Sequence, residues 1–180
     1  MTPDNHHYVS SRILRLNVGY ITSQNVGFSR ETSIEVPSKL QVTTDLILGH
    51  MYATLRLSHA HGGILVQGTV ETSVLTDCSR CAEAVWLPVE FEIQELFATN
   101  DDLDTEYRVD DSNFLDLGPL IREEALLSVP MVTPTDAENR CVICERTFGD
   151  VLREHGLGDD IDPRLEILRS LRDQMNQSDE

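Results

Sequence analysis

Ile64-Leu65-Val66-Gln67-Gly68-Thr69-Val70-Glu71-Thr72-Ser73-Val74, then Asp77-Cys78-Ser79-Arg80-Cys81, then Val85-Trp86-Leu87-Pro88-Val89-Glu90-Phe91-Glu92-Ile93 read as a strand, a tight turn and a returning strand. In the outgoing run Ile64, Val66, Gly68, Val70 and Val74 share one face, and Gln67, Thr69, Glu71 and Ser73 share the other. The return places Val85, Leu87, Val89, Phe91 and Ile93 against Glu90, Glu92 and Gln94. A period of two marks a strand with one face buried. At Glu95-Leu96-Phe97 the alternation slips, which predicts a bulge or a change of face. Upstream, Met51, Ala53, Leu55 and Leu57 alternate with polar residues, and His59-Ala60-His61-Gly62-Gly63 supplies a turn. Phe28 to Val36 adds a further strand, with Arg30 interrupting its apolar face as at a sheet edge and Pro37 ending it. The pattern predicts an α+β fold: an antiparallel, barrel-like meander followed by C-terminal helices.

The turn carries one Cys-x-x-Cys pair, Cys78 and Cys81, and Cys141-Val142-Ile143-Cys144 carries the second; these are the four cysteines of the chain. Each such turn can present two thiolates to one tetrahedral ion at about 2.3 Å, and two turns close a four-sulfur site. The pairs are too far apart in sequence for one local loop, so the fold must bring them together. Structural zinc is the leading reading, ahead of unmetallated cysteines and of redox chemistry. A redox pair favours a thiol at a helix N-terminus, whereas Cys78 follows a strand and no helix signal follows Cys81. A catalytic zinc keeps an open position that four sulfurs would close.

Residues 1–11 are polar and are expected to be mobile. Arg12 to Val18 alternates as a strand or strand entry, and Val18 to Val26 suits a short turn or helix. Residues 99–113 form an acidic loop containing Asp101, Asp102, Asp104, Glu106, Asp110 and Asp111. It lacks the central glycine of a calcium loop. Asp116 and Pro119 predict a helix over about 116–129, ended by Pro130. Thr147 to His155 predicts a short helix. Asp162-Pro163 opens a last one over about 163–175, with Leu165, Ile167, Leu168 and Leu171 apolar, and 173–180 should fray.

A composition 40% hydrophobic and 25% charged is enough for one core. No apolar run approaches the ~18 residues of a membrane helix, and the start lacks the basic and apolar regions of an export signal. These features point to a cytoplasmic chain without a membrane partner. The net charge of −17 is lopsided: −1 over residues 1–89 and −16 over 90–180. Such a surface disfavours DNA and bare phosphate backbone and suits a basic protein. No P-loop, Gly-x-Ser-x-Gly or His-Glu-x-x-His occurs, so no catalytic residue is nominated.

The order of these features resembles the YceD family, the large ribosomal RNA subunit accumulation proteins. The likeness rests on Asn17-Val18, Val26-Gly27-Phe28-Ser29-Arg30, Gly63-Ile64-Leu65-Val66-Gln67-Gly68 and Cys78-Ser79-Arg80-Cys81. It continues through Leu115-Asp116-Leu117, Arg122-Glu123-Glu124, Val129-Pro130-Met131, the late cysteine pair, and Asp162-Pro163-Arg164-Leu165 with Leu168 and Leu171. It spans residues 12–172, read as a single domain: 12–98 mainly β, 99–113 the acidic loop, 114–172 mainly helical. Many relatives carry Gly-Leu-Cys-x-x-Cys-Gly at the late pair, where this chain has Asn139-Arg140-Cys141-Val142-Ile143-Cys144-Glu145.

The resemblance implies a non-enzymatic factor in large-subunit ribosome biogenesis. Its expected partner is a basic ribosomal protein or assembly factor, with direct RNA contact left open. The candidate metal ligands are Cys78, Cys81, Cys141 and Cys144. Arg80, Asp101, Asp102, Asp104, Asp162 and Arg164 are candidate partner contacts, although a solvated or salt-bridged arginine is the simpler reading of Arg80. The alternatives are a stand-alone zinc-stabilised binding module and a thiol or zinc enzyme.

Overall fold

The alternating stretches form a curled, mixed sheet in the computed structural model, which describes residues 8–100, 103 and 105–156. The chain divides into two units, Met1–Thr133 and Pro134–Glu180. In the first, the strands are β1 (Val9–Ser10), β2 (Arg15–Asn17), β3 (Ser29–Val36), β4 (Leu40–Gln41), β5 (Ile47–Leu48), β6 (Met51–Ala60), β7 (Gly63–Asp77), β8 (Ala84–Ala98) and β9 (Phe114–Asp116). A 3-10 turn (Ser11–Leu14), a one-turn helix α1 (Gly19–Thr22) and the helix α2 (Gly118–Ser128) complete it. The second unit contains α3 (Phe148–Glu154).

The main sheet runs β1-β4-β5-β7-β6-β3, with β8 on the opposite edge of β7. The predicted hairpins are present. β6 pairs with β7 from Ala60↔Gly63 to Tyr52↔Glu71, and β7 pairs with β8 from Gly63↔Ala98 to Asp77↔Ala84. The sheet is not purely antiparallel, because β1 lies parallel to β4 with Val9 opposite Leu40. Val9 N–H donates to the Lys39 carbonyl at 2.9 Å. No hairpin dictates the direction of this segment, since it joins a strand some thirty residues away.

The bulge expected at Glu95-Leu96-Phe97 is absent. The β7–β8 register is unbroken, and Phe97 stays buried in the phase of Phe91 and Ile93. Half-buried Glu95 occupies a core-side position opposite Val66, which made the alternation look broken. β8 pairs with β7 alone among the described strands, so Pro88 is tolerated on an edge without its amide hydrogen.

Gly68 has a steric reason. A Cβ there would lie 2.0 Å from the Thr54 carbonyl oxygen of β6, so the two strands approach as only glycine allows. The turn between β6 and β7 is His61–Gly62, with Gly62 at φ 85°.

Alternate residues of β6, β7 and β8 bury Met51, Ala53, Leu55, Leu57, Ile64, Val66, Val70, Phe91 and Ile93. α2 packs on β8 and adds Leu120, Ile121 and Ala125 to the same core. The helix begins two residues later than predicted. Asp116 still serves its start, its Oδ1 accepting the Gly118 N–H at 2.9 Å. Arg122 on the outer side of α2 pairs with Asp45, in the loop before β5. Arg30 lies over the Tyr20 ring at 4.9 Å on the edge strand β3.

The later part of the acidic loop is held by its own acids. Asp110 accepts the N–H groups of Ser112 and Phe114 at 2.9 and 2.8 Å, and takes Arg15 at 2.7 Å. Tyr107 and Val109 pack against the core. Asp101, Asp102 and Asp104 lie outside the described residues, as do Asp162, Arg164 and the helix predicted over 163–175.

In the second unit, Thr135 bridges Cys141 across a loop. α3 starts with a capping box: Thr147 Oγ1 accepts the Asp150 N–H, and Asp150 accepts the Thr147 N–H. Cys141 is the one buried residue among the described residues of this unit.

Candidate metal centre

The first cysteine turn closes the β7–β8 hairpin. Asp77 and Ala84 are the last paired residues, leaving residues 78–83 to reverse the chain. The Cys78 N–H donates to the Glu83 carbonyl and the Ala82 N–H to the Cys78 carbonyl, both at 2.9 Å. The Arg80 N–H points at Cys78 Sγ, 3.5 Å away. Ala82, directly after Cys81, sits at φ 55°.

The second turn repeats this arrangement bond for bond. The Cys141 N–H donates to the Arg146 carbonyl at 3.0 Å and the Glu145 N–H to the Cys141 carbonyl at 2.8 Å. The Ile143 N–H lies 3.5 Å from Cys141 Sγ, and Glu145 sits at φ 58°. In each turn an amide hydrogen is thus aimed at the first sulfur, and sulfur binds a metal as thiolate. Cys78 and Cys141 are buried, at 2% and 1% exposure, while Cys81 and Cys144 are half-buried.

Within the second turn the Sγ atoms of Cys141 and Cys144 lie within 4.8 Å of each other, and each turn offers sulfur ligands that could hold a metal ion. The donor set suits a thiophilic ion: sulfur ligands and peptide N–H groups aimed at sulfur.

Around Cys78 the chain adds two hydroxyls that the sequence reading passed over. Thr133 Oγ1 is 3.6 Å from Cys78 Sγ and 2.7 Å from Ser79 Oγ. Ser79 Oγ also accepts the Thr133 N–H at 3.1 Å. Thr133 is only 4% exposed. A threonine ahead of a proline looks like linker in the sequence, and only the fold shows it beside the turn.

A cleft beside the second turn is lined by Asp136, Arg140, Cys141, Val142 and Glu145. Asp136 accepts the Arg140 N–H at 2.7 Å and Arg140 Nε at 3.1 Å. These bonds, the backbone one foremost, hold its carboxyl below the ordinary carboxylate range. A carboxylate engaged in this way is a poor general base.

Of the sequence-nominated residues, the four cysteines take up the two turns, and Arg80 is half-buried inside the first with its N–H toward Cys78. His59, at the β6–β7 turn, is engaged elsewhere: its Nδ1 is 2.7 Å from the Gln24 carbonyl oxygen.

The family model described as Large ribosomal RNA subunit accumulation protein YceD matches residues 66–172. The chain belongs to the YceD family. The YceD match begins in β7 and takes in both cysteine turns and α2. Within the YceD family, the chain is 30% identical over 115 residues to "Uncharacterized protein YlbN" of Bacillus subtilis (strain 168), covering 61% of this chain and 67% of that protein. No solved structure matches. Among the described residues, no helix is long and apolar enough to cross a membrane.

Proposed function

We propose that this YceD-family protein supports the accumulation of large-subunit ribosomal RNA as a non-enzymatic, cytoplasmic factor, by binding a basic ribosomal protein or assembly factor. The observation that carries the reading is the family match over residues 66–172, whose description names large ribosomal RNA subunit accumulation. The charge of −17 agrees with a basic partner. So does the solvent face of the sheet, where exposed Glu71 stands opposite exposed Glu90 with Glu92 two residues on. Like charges facing each other across strands cost stability, and a cationic partner would relieve that cost.

In this reading Cys78, Cys81, Cys141 and Cys144 share one structural zinc. The two matching turns support it, and so does the second unit's make-up, in which Cys141 is the one buried described residue. A segment with as few buried groups as the described residues 134–156 would gain stability from a bound metal. Zinc would supply charge neutralisation and a covalent tie; the chain supplies sulfur ligands and the amides that orient them. The alternative of a thiol or zinc enzyme is disfavoured by the engaged state of Asp136, an acid lining the cleft beside Cys141.

The test is depletion of the protein in its own cell. Large-subunit RNA and large subunits should fall relative to small-subunit RNA. Unchanged levels would overturn the assignment.

A further inference from the structure

We infer that Thr133 and Ser79 form a two-hydroxyl relay that supports the Cys78 thiolate from outside the metal's coordination shell. The inference rests on the zinc reading of the cysteines and deepens it.

The proton directions follow from chemistry. A metal-bound thiolate has no hydrogen to give, so the contact between Thr133 Oγ1 and Cys78 Sγ, 3.6 Å, must run from hydroxyl to sulfur. Having spent its hydrogen there, Thr133 Oγ1 accepts from Ser79 across their 2.7 Å contact. Ser79 Oγ in turn accepts the Thr133 N–H at 3.1 Å. Each hydroxyl thus donates once and accepts once. The chain of donors ends on one sulfur, together with the Arg80 N–H at 3.5 Å.

Burial makes this consequential. Cys78 is 2% exposed and Thr133 4% exposed, so little water is available to replace a missing donor. The relay also ties the segment that leaves α2 to the tip of the β7–β8 hairpin, two parts of the first unit remote in sequence. Donors to a ligand sulfur tune its charge and hold its rotamer, and losing such outer partners commonly weakens metal binding by about 10–100-fold. Thr133 is therefore a positioning residue, acting through Cys78.

The experiment uses the full chain, cobalt(II) as a spectroscopic probe, and zinc in competition with a chromophoric chelator. Thr133→Val keeps the shape and removes the hydroxyl, Thr133→Ser keeps the hydroxyl, and Ser79→Ala removes the second link at an exposed turn residue. The relay predicts that Thr133→Val and Ser79→Ala weaken zinc binding by about tenfold or more. Both should also shift the sulfur-to-cobalt charge-transfer band to lower energy, because the thiolate is left richer in charge. Thr133→Ser should match the parent in affinity and band. If Thr133→Val and Ser79→Ala leave affinity and band unchanged while the parent binds one metal and Cys78→Ser does not, the relay is wrong and the zinc reading stands. If the parent binds no metal, or Cys78→Ser binds as the parent does, both fall.

Discussion

Ala82 and Glu145 hold the same place in two separate turns, each directly after the second cysteine and each in the left-handed backbone region, at φ 55° and 58°. That region favours glycine, and an ordinary residue there carries strain of order 1–3 kcal/mol. The late turn doubles the point, because Asn139 lies at φ 65°. Asn139 and Glu145 are the two positions where the related Gly-Leu-Cys-x-x-Cys-Gly pattern has its glycines. Here both positions hold non-glycine residues in a conformation that glycine adopts freely.

Replacing Glu145 by glycine should therefore stabilise the second turn. The expected gain is about 0.5–1 kcal/mol after the added freedom of the unfolded chain is set against the relieved strain. Ala82→Val should have the opposite effect on the first turn, since a β-branched residue is poorly tolerated at positive φ. Chelator competition and thermal melts of the three proteins check both. Equal behaviour of all three would show that these backbone angles carry no strain.

Gly68→Ala should destabilise the first unit by about 2–4 kcal/mol through overpacking and strand displacement. The added methyl would meet the Thr54 carbonyl oxygen at 2.0 Å, a backbone atom that cannot swing aside. Urea unfolding followed by far-ultraviolet circular dichroism reads the change. A loss below about 0.5 kcal/mol would show that β6 and β7 separate easily there.

Acid should loosen the tie between α2 and the loop before β5. The Arg122 guanidinium, with a smaller contribution from Thr43, holds Asp45 well below its ordinary value of 3.8. A depressed folded-state value means the stabilisation is complete above the unfolded value and is lost as pH falls through the folded one. The loss should therefore begin below about pH 4. Asp150 behaves alike: the Thr147 hydroxyl, foremost, brings it down to about 2, so the α3 capping box should open between about pH 4 and 2. Asp45→Asn should flatten the acid limb of a stability profile and leave it little changed near pH 7, where exposed pairs contribute little. An unaltered acid limb would show that the pair is not formed in solution.

The strands were legible because each buries one face, so apolar residues recur at every second place: Met51 to Leu57, Ile64 to Val70 and Val85 to Ile93 all fall on the expected face. The cysteine turns were legible from spacing. Three things were not. The parallel β1 is two residues long and carries no periodicity. Glu95 at a core-side position imitated a phase change. The Thr133 and Ser79 contact joins residues 54 apart, and nothing local in either sequence announces it.

Partner binding, if it is spread over many carboxylates, should weaken steeply with salt and hardly respond to single changes. Asp101→Asn, Asp102→Asn or Asp104→Asn should each lower affinity less than threefold, while reversing Glu71, Glu90 and Glu92 together should lower it more than tenfold at low salt. Titration of a basic ribosomal protein against these variants at two ionic strengths checks this. A single Asp→Asn change that abolishes binding would replace the diffuse surface with a specific site.

The ratio of large- to small-subunit ribosomal RNA, measured in cells lacking this protein and in the same cells carrying it back, tests the central claim most directly. The account predicts a fall in the ratio that the restored protein reverses, with large-subunit RNA made at the normal rate and lost before assembly. An unchanged ratio and a normal subunit profile in the deletion would contradict it.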